Sequence, residues 1–474
     1  MVSLFIFRRD LRLYDNIGLI NALRDSQIVI PIFIFTPDQL SRNNVYKSDK
    51  CVRFMIESLE KLDHELRKRG SRLFYFYGDP HIIVSSLLKK NSLDISSVFV
   101  NRDYTPYSIR RDDLIRKTCE RLDVQYRAYE DYLLYPVGHI TTGSGDIYTK
   151  FTPYFKKAVR TVVQKELTNN YSNYYPKSKK LIGEYTSNLT KFYNDAESEN
   201  SIRKGGRSEG LIALKESHTQ TNYNTNRNSL NYPTTRLSAY LKFGCLSIRE
   251  TYYFFVKKLS RKNDLIKQLY WREFYTNLVW KYPNVLDGPS KNFSSKYNKV
   301  KWTTWENASK KQKVAYQKWT TGTTGIPVID AAMRELNLTG FMHNRGRLIV
   351  ASFLTKQMFW HWIEGEKYFA QKLYDYCPIL NNSNWQFCSG SGADVQPYFR
   401  VFNPWLQGFN HDYECEYIKK WVPELKQVAN THIHQWYAFY KNYQVDYPKP
   451  MLDNRKLAEK AKRKFGHYLY GNEK

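Results

Sequence analysis

The two halves of this 474-residue chain carry different periodicities, and this contrast constrains the fold more than any other feature of the sequence. Up to about residue 130, short apolar runs alternate with charged stretches of helical length. Residues 51–69 and 108–121 predict helices. Strands are predicted by the apolar runs at 2–7, 28–35, 72–78 and 97–100. Strands and helices in alternation indicate a parallel α/β sheet of the Rossmann-like type.

The second half lacks clear strand signals. From about residue 231 helical periodicity dominates, and all eleven tryptophans lie at or after Trp271. Residues 170–230 are rich in Asn, Ser, Lys, Tyr and Gly with little periodicity, which is typical of a surface connection. Helices are predicted at 234–243, 272–282 and 344–363. We therefore predict an α/β domain at 1–130, a partly disordered interdomain connection at 131–215 and an all-α domain at 216–474.

The formal net charge of +28 favours a polyanionic partner, most simply nucleic acid. The six cysteines contain no CxxC pair, which indicates a reducing compartment without disulfides. Met1 leads straight into an apolar strand pattern, so we expect no signal peptide. The apolar run at 28–35 is too short to cross a bilayer. These features predict a soluble, intracellular protein, in cytoplasm or nucleus, with no membrane segment. We also expect the protein to be a monomer.

Two local patterns can be interpreted either as purely structural or as functional. Hydroxyl residues open the segment YPTTRLSAYLKF, where a helix start could hold phosphate or could simply be capped. In KQLYWREFY, four side chains fall on one helix face, which packing alone would explain. His411, Cys415, His432 and His434 show no four-ligand spacing, so no metal site is predicted.

Residues 319–425 hold the densest set of motifs. They contain WTTGTTGIPVIDAAMRELNLTGFMHNRGRLIVASFLTK, NNSNWQF and PYFRVFNPWLQGF. This segment resembles the flavin-binding core of the DNA photolyase and cryptochrome family. The resemblance runs from RRDLRLYDN near the N-terminus to WVPEL near the C-terminus. It implies an all-α FAD-binding domain after the α/β domain, and the chain is most similar to class I cyclobutane pyrimidine dimer photolyases.

The resemblance implies a set of FAD contacts. The loop before Tyr240 would cradle the pyrophosphate, and Arg347 with Asp375 would form an ion pair over the flavin ring. Asn381 aligns with the residue that faces flavin N5, where Asn is typical of photolyases. Cys377 replaces a second acidic residue of the family. The implied cofactor-binding residues are Tyr223, Thr234, Thr235, Leu237, Ser238, Arg272, Arg347, Asp375, Cys377 and Asn381.

A second set would hold UV-damaged DNA with its lesion flipped out. Trp271 would stack on the lesion, and Phe387 would form the opposite wall, where related enzymes usually have Trp. Gln268 would bond the base edge, where enzymes for cyclobutane dimers usually carry Glu. Arg345 would hold a phosphate. The implied DNA-binding residues are Arg227, Gln268, Trp271, Tyr275, Asn344, Arg345, Leu348, Phe387 and Arg400.

The remaining implied roles are catalytic. Trp385, Trp362 and Trp305 would relay electrons from the surface to the flavin, with Trp302 an alternative to Trp305. Gln268, Asn344 and Asn381 complete the implied catalytic set.

The implied function is light-dependent DNA repair, in which excited reduced FAD donates an electron that splits a cyclobutane pyrimidine dimer. A second, antenna chromophore would be a deazaflavin or a folate, or would be absent. Two alternatives stay open. A 6-4 photoproduct photolyase would need histidines where Asn344 and Leu348 stand, although Gln268 favours it. A cryptochrome photoreceptor without repair activity is disfavoured by Asn381 and by the short tail after WVPEL.

Overall fold

A computed structural model describes residues 1–90, 93–288, 291–395, 400–451 and 454–471. Contacts group the chain into two compact units. The first consists of Met1–Glu199, Arg203–Thr221 and Thr235–Asp287, and the second of Asn200–Ile202, Asn222–Thr234 and Gly288–Lys474. These units divide the chain at other positions than the predicted domain boundaries, and the division at 130 and 215 stays a prediction.

A five-stranded parallel sheet lies in the first unit. Its strands are β1 (Val2–Phe7), β2 (Ile28–Phe35), β3 (Phe74–Tyr77), β4 (Ile95–Asn101) and β5 (Gln125–Tyr129). Their order is β3-β2-β1-β4-β5, and each neighbouring pair runs parallel. The α/β prediction and its four strands are confirmed. β5 was not predicted, because its half-buried QYRAY sequence gives little apolar signal.

The sheet packs between helices of the same unit. Leu4, Ile30 and Val98 are fully buried in its core, as expected for parallel strands covered on both faces. Helices α1 and α3 were not predicted, because short apolar runs fit a buried strand as well as a helix. The helices of eight or more residues are α1 (Ile17–Asp25), α2 (Asp49–Lys68), α3 (Pro80–Lys90), α4 (Pro106–Arg121), α5 (Phe151–Ala158), α6 (Arg207–Glu216), α7 (Ile248–Lys258) and α8 (Asp264–Lys281).

The predicted connection at 131–215 contains ordered structure. It includes helices α5 and α6 and an extended segment that bonds the start of β2. The Val29 N–H donates to the Asn173 carbonyl at 2.9 Å, and the Tyr175 N–H donates to the Val29 carbonyl at 2.8 Å. Backbone bonds of this kind attach the segment to the sheet.

The N-terminal motif RRDLRLYDN forms a buried ion-pair network. Arg12 donates to both oxygens of Asp131 at 2.8 and 2.7 Å, and Arg249 of α7 bonds Asp15 and Asp131 at 2.9 Å each. All four side chains are at most 2% exposed. Buried charges are tolerated only when paired and hydrogen-bonded, and here every charge has partners of opposite sign. The motif therefore joins the loop after β1 to α7.

The described part of the second unit is helical, as predicted. Its core is formed around Trp319, Trp360, Trp362 and Trp436, all almost fully buried. No helix in the described ranges combines the length and apolarity needed to cross a membrane. The helices of eight or more residues are α9 (Lys310–Thr321), α10 (Pro327–Thr339), α11 (Asn344–Ser352), α12 (Trp362–Lys372), α13 (Pro378–Ser389), α14 (Pro404–His411) and α15 (Asn454–Tyr470).

The prediction of one continuous helix at 344–363 is wrong. α11 ends at Ser352, a π-helical turn covers Phe353–Gln357, and α12 begins at Trp362. Between them Phe359 adopts a left-handed φ of 63°, which a right-handed helix cannot contain. The backbone there bonds Thr303 instead, with the His361 N–H on the Thr303 carbonyl at 2.8 Å. A tertiary backbone contact thus ends a segment whose side chains alone favour a helix.

Candidate functional site

The predicted cofactor residues fall in both units, and each group is described separately. In the first unit, Arg272 of α8 is buried and fully engaged. Its guanidinium donates to the Tyr132 carbonyl at 2.7 Å and to the Leu241 carbonyl at 3.3 Å, and it lies 3.6 Å over the Tyr132 ring. Leu241 belongs to the short helix Ser238–Lys242. Arg272 therefore fixes the element that carries the predicted pyrophosphate contacts.

The predicted pyrophosphate segment has an unusual backbone. Arg236 has a φ of 53°, and the helix Ser238–Lys242 starts after Leu237, an apolar residue with no capping group. No hydroxyl side chain caps the start of this helix. The interpretation of the hydroxyl residues as an ordinary N-cap is therefore wrong at this position. Thr235 is half-buried and Ser238 is exposed.

Helix α8 also carries three residues predicted to meet the lesion. Trp271 stacks face to face on Phe151, with ring centroids 3.6 Å apart and planes within 5°. Gln268 is half-buried, and its amide donates to the Asp264 carbonyl at 3.3 Å. Tyr275 is only 5% exposed and packs against Trp271 at 5.4 Å. One face of the Trp271 indole is therefore covered by Phe151, and the role in lesion stacking stays a prediction.

Glu273, the residue after Arg272, is a buried acid with a raised pKa. Glu273 is fully buried and accepts the backbone N–H groups of Leu134 and Tyr135 at 3.0 and 3.3 Å. Desolvation raises the pKa of Glu273 to about 7, against the opposing charge of Arg272. Glu273 was not among the residues selected from the sequence, although an acid in the middle of an apolar helical pattern is a usable signal.

In the second unit, the predicted ion pair is present. An Nη of Arg347 lies 3.3 Å from a carboxylate oxygen of Asp375, and Arg347 Nε donates to the Met342 carbonyl at 2.9 Å. Asp375 is buried, whereas Arg347 is half-buried. Cys377 is buried and precedes α13 as its N-cap residue.

Asn381 is held in one orientation by Glu366. Its amide N–H groups donate to the Glu366 carbonyl at 2.9 Å and to Glu366 Oε1 at 3.1 Å. Burial raises the pKa of Glu366 to about 7. Because both bonds use the amide nitrogen, the Asn381 carbonyl oxygen is directed away from Glu366. Glu366 was missed from the sequence, where its helical WIEGEKYF context looks like an exposed charge.

The tryptophans predicted to carry electrons differ in exposure. Trp385 and Trp362 are buried, and Trp362 donates its indole N–H to Asn292 at 2.9 Å. Trp305 is 41% exposed, whereas Trp302 is 7% exposed and packs against Phe465 of α15 at 5.4 Å. Of the two candidates for the surface end, Trp305 has the greater access to solvent.

A continuous series of rings joins Trp385 to Trp305. Trp385 lies 6.3 Å from Trp319, which lies 5.7 Å from Tyr316. Tyr316 lies 4.6 Å from Trp360, and Trp360 lies 6.4 Å from Trp305, all between ring centroids. Trp319, Tyr316 and Trp360 were not selected from the sequence, where they resemble ordinary core residues.

Three of the predicted phosphate contacts interact electrostatically with one another. Arg345 is half-buried at the start of α11, and burial together with the charges of Arg227 and Arg400 lowers its pKa. Its guanidinium donates to Asn228 at 2.6 Å. Like charges near one another repel, and a bound anion such as a phosphate would offset that repulsion. We call Arg227, Arg345 and Arg400 the arginine cluster.

Two residues missed from the sequence adjoin the arginine cluster. His411 ends α14, and burial with the nearby Arg345 charge lowers its pKa to about 4. Buried Lys356 donates to the Arg400 carbonyl at 2.9 Å, and burial lowers the pKa of Lys356 to about 8. Lys356 thus fixes the backbone that carries Arg400.

The other predicted residues of this unit lie on several short elements. Asn344 is exposed at the start of α11, and Leu348 is half-buried one turn later. Phe387 on α13, Tyr223 and Thr234 are half-buried. Within the described ranges, no three His, Cys, Asp or Glu side chains form a group that could hold a metal ion.

Comparison with known proteins gives a family. Residues 3–170 match the DNA photolyase family model, and residues 265–467 match the model for the FAD binding domain of DNA photolyase. The deoxyribodipyrimidine photo-lyase of Halobacterium salinarum is 32% identical over 97% of this chain and 98% of its own length. The chain therefore belongs to the DNA photolyase family, and its C-terminal helical region is an FAD-binding domain.

Solved structures agree with this assignment. An archaeal photolyase from Sulfolobus tokodaii, described with two FAD molecules and a novel light-harvesting cofactor, is 38% identical with a TM-score of 0.85, covering 98% of this chain and all of its own. The cryptochrome of Synechocystis sp. PCC6803 is 27% identical with a TM-score of 0.86, covering 98% of each chain. A photolyase and a cryptochrome are thus both similar in fold to this chain.

Proposed function

We propose that this protein is a deoxyribodipyrimidine photo-lyase that splits cyclobutane pyrimidine dimers in UV-damaged DNA, acting as a monomer. One observation carries the proposal. Helix α11 bears Arg345, which joins the arginine cluster, and two residues later Arg347, which pairs with Asp375. Residues two positions apart on an α-helix project from nearly opposite sides of it, because the helix repeats every 3.6 residues. A single element thus joins a phosphate-binding surface to a pair suited to a flavin.

The residues of the second unit fit a flavin. Arg347 and Asp375 offer a cation and an anion side by side, and Asn381 offers a carbonyl oxygen fixed by Glu366. Bound FAD supplies the light absorption and the electron, while the protein supplies binding, orientation and local charge. The predicted pyrophosphate contacts of the first unit, from Thr235 to Ser238, complete the proposed cofactor set.

The arginine cluster performs the other task, which is to hold DNA. Guanidinium groups bind phosphate oxygens bidentately, and a flipped lesion needs its flanking phosphates fixed. A fused pyrimidine dimer stacks and pairs poorly, so extruding it costs less than extruding a normal base. Trp271 is the proposed stacking surface for the extruded dimer, with Gln268 at its edge.

The cyclobutane dimer is the favoured lesion. Proton transfer in 6-4 repair calls for an imidazole, and the corresponding positions here are Asn344 and Leu348. Neither side chain can exchange a proton near neutral pH. The relatives named deoxyribodipyrimidine photo-lyase cover nearly the whole chain, which supports the same choice. The Synechocystis cryptochrome is less similar in sequence to this chain than the Sulfolobus tokodaii photolyase, at 27% against 38% identity. Asn381 also favours repair.

The α/β region is the proposed site of an antenna pigment. The Sulfolobus tokodaii photolyase, described with two FAD molecules, makes a second flavin a candidate beside a deazaflavin or a folate. Acid release of the bound chromophores followed by chromatography and mass spectrometry identifies the pigment. A single FAD per chain would remove the antenna from the proposal and leave the repair function in place.

The deciding experiment uses two matched oligonucleotides, one with a cyclobutane dimer and one with a 6-4 photoproduct. Purified reduced protein is illuminated with each, and restored thymines are measured by chromatography. We expect restoration of the cyclobutane substrate under light and none in the dark. Restoration of only the 6-4 substrate would change the lesion, and restoration of neither by an FAD-loaded protein would leave the cryptochrome alternative.

A further inference from the structure

The π-helical turn after α11 ends in two buried polar residues that hold a neighbouring segment of the chain. Lys356 is 2% exposed and Gln357 is 8% exposed. Lys356 Nζ donates to the Arg400 carbonyl at 2.9 Å, and Gln357 Nε2 donates to the Phe402 carbonyl at 2.7 Å. Single π-helical turns are frequent at functional sites. The two side chains thus fix alternate carbonyls of the segment that carries Arg400, a member of the arginine cluster.

Lys356 is a buried cation without a counter-ion. Among the residues that the structure describes, no carboxylate pairs with it, and its hydrogen bond goes to an uncharged carbonyl. The titratable groups that act on its charge are Cys388 of α13 and Arg400. Burial raises the pKa of the Cys388 thiol to about 12, so Cys388 is uncharged near neutral pH. An ammonium group buried in this way lowers the stability of a fold, and a Met of similar length would avoid that cost.

An anion bound at the arginine cluster would offset the cost of burying Lys356. Lys356 contacts the Arg400 backbone, and the charge of Arg400 acts both on Lys356 and on Arg345. Water and salt screen a buried charge only weakly. Lys356 therefore adds to the positive potential that a phosphate meets at the arginine cluster.

We propose that Lys356 is a positioning residue for DNA binding, which together with Gln357 sets the backbone of Arg400 for contact with a phosphate beside the lesion. The inference rests on the proposed function and adds two residues that are too buried to hold DNA themselves. A charged donor makes a stronger hydrogen bond than a neutral one, so the hold on the Arg400 carbonyl depends on the charge of Lys356.

The charge of Lys356 is sensitive to pH. Burial, and then the charge of Arg400, lowers the pKa of Lys356 to about 8. The ammonium form is therefore present near pH 7 and is lost as pH rises through about 8. A phosphate near Lys356 favours the charged form, so the affinity for DNA should fall over the same range of pH.

The first test separates DNA binding from stability. Lys356→Met keeps the length of the side chain and removes its charge and its hydrogen bond. We expect it to weaken binding of a dimer-containing duplex at pH 7 about tenfold, the effect of losing one charge-assisted hydrogen bond. Its free energy of unfolding in urea should equal or exceed that of wild type, because a buried unpaired charge is removed. Fluorescence anisotropy measures the binding.

Two further variants accompany Lys356→Met. Gln357→Met removes a neutral hydrogen bond and should weaken binding less than Lys356→Met does. Lys311→Met, at an exposed lysine of α9, is the matched control and should change both affinity and stability only slightly.

A pH profile of DNA affinity is the second readout. Wild-type affinity should fall severalfold between pH 7 and pH 9. Lys356→Arg keeps its charge over this range and should retain its affinity at pH 9, whereas Lys356→Met should bind weakly at both values. His411, whose pKa is lowered to about 4, is neutral throughout.

Unchanged affinity in Lys356→Met would overturn the inference, and so would a loss of affinity matched by an equal loss of stability. Identical pH profiles for wild type and Lys356→Met would also overturn it. A wild-type protein that binds dimer-containing and undamaged DNA equally well would instead contradict the proposed function.

Discussion

Glu366 is a buried acid whose charge state is linked to the stability of the fold. It is 4% exposed, its polar contacts with Asn381 use the carbonyl and one carboxylate oxygen, and burial raises its pKa from 4.5 to about 7. An acid with a raised folded-state pKa is neutral in the folded protein at acidic pH. Its favourable contribution is complete below pH 4.5 and is lost as pH rises through about 7.

We therefore expect Glu366→Gln to become more stable relative to wild type as pH rises. The amide keeps the contact with Asn381 but carries no charge at any pH. The raised pKa of Glu366 corresponds to a gain on the order of 3 kcal/mol in the free energy of unfolding of Glu366→Gln relative to wild type between pH 4.5 and pH 8. Urea unfolding at a series of pH values measures it, and a difference between the two proteins that is independent of pH would contradict the assignment.

At the scale of elements, the buried ion-pair network ties the loop after β1 to α7. Arg12 and Arg249 share Asp131, so neither arginine can be removed without leaving carboxylate charge in a desolvated place. Removing one partner of a buried pair costs more than the pair itself contributes, because the remaining charge keeps its desolvation penalty. The motif RRDLRLYDN thus acts in folding, whatever its value as a family marker.

Arg12→Met is expected to destabilise the protein by about 3–5 kcal/mol. The control is Arg24→Ala, which removes an exposed arginine paired with Asp25 and should cost under about 1 kcal/mol. Urea unfolding followed by circular dichroism measures both. Similar small losses for the two variants would show that Asp131 relaxes towards solvent.

The ring series from Trp385 to Trp305 links α13, α9 and the segment before α12. It offers electrons a route to the surface beside the predicted one through Trp362. Each step joins oxidisable rings whose centroids are at most 6.4 Å apart. Both routes begin at Trp385, so only substitutions at later members of each route can distinguish them.

We expect Trp362→Phe to slow but not stop photoreduction of oxidised FAD, and Trp362→Phe combined with Trp319→Phe to stop it. Absorbance of the flavin under illumination with an external thiol reductant measures the rate, and transient absorption detects the oxidised ring. Trp405→Phe, at a tryptophan outside both routes, is the control. Complete loss in Trp362→Phe alone would exclude the ring series.

At the scale of the whole molecule, the net charge of +28 sets how the protein meets DNA. Most of that charge is spread over exposed lysines and arginines, which attract any polyanion without specificity. The arginine cluster differs because two of its members are anchored locally: Arg345 donates to Asn228, and the Arg400 carbonyl accepts from Lys356. Long-range attraction of DNA and local binding of its phosphates therefore come from different parts of the chain.

DNA affinity is expected to fall steeply with salt, and Arg345→Ala should make the log–log slope shallower by about 0.9. Anisotropy titrations of a dimer-containing duplex over a series of salt concentrations measure the slope. Arg116→Ala is the control, because Arg116 is already paired with Asp113 and Glu120. An unchanged slope in Arg345→Ala would mean that Arg345 touches no phosphate.

Much of the fold follows from local pattern. The runs VSLFIF and IVIPIFIF are short, almost wholly apolar and rich in Val, Ile and Phe, a composition that favours strands covered on both faces, so β1 and β2 were predictable. β5 was not, since a half-exposed edge strand has no such requirement. The Arg347–Asp375 pair was predicted because the resemblance to a family identified both residues, whereas Glu366 was missed because its burial depends on distant helices.

The sequence by itself determined the strand and helix alternation, the helical second half and the strongly basic character, because periodicity and charge are properties of neighbouring residues. Only the tertiary structure decided that the charges of Arg227 and Arg400 act on Arg345, that Phe359 breaks a helix and that Phe409 and Tyr413 stay exposed. Those outcomes depend on contacts between residues far apart in the chain. Local preference is too weak to fix such contacts, since burial and backbone pairing outweigh it.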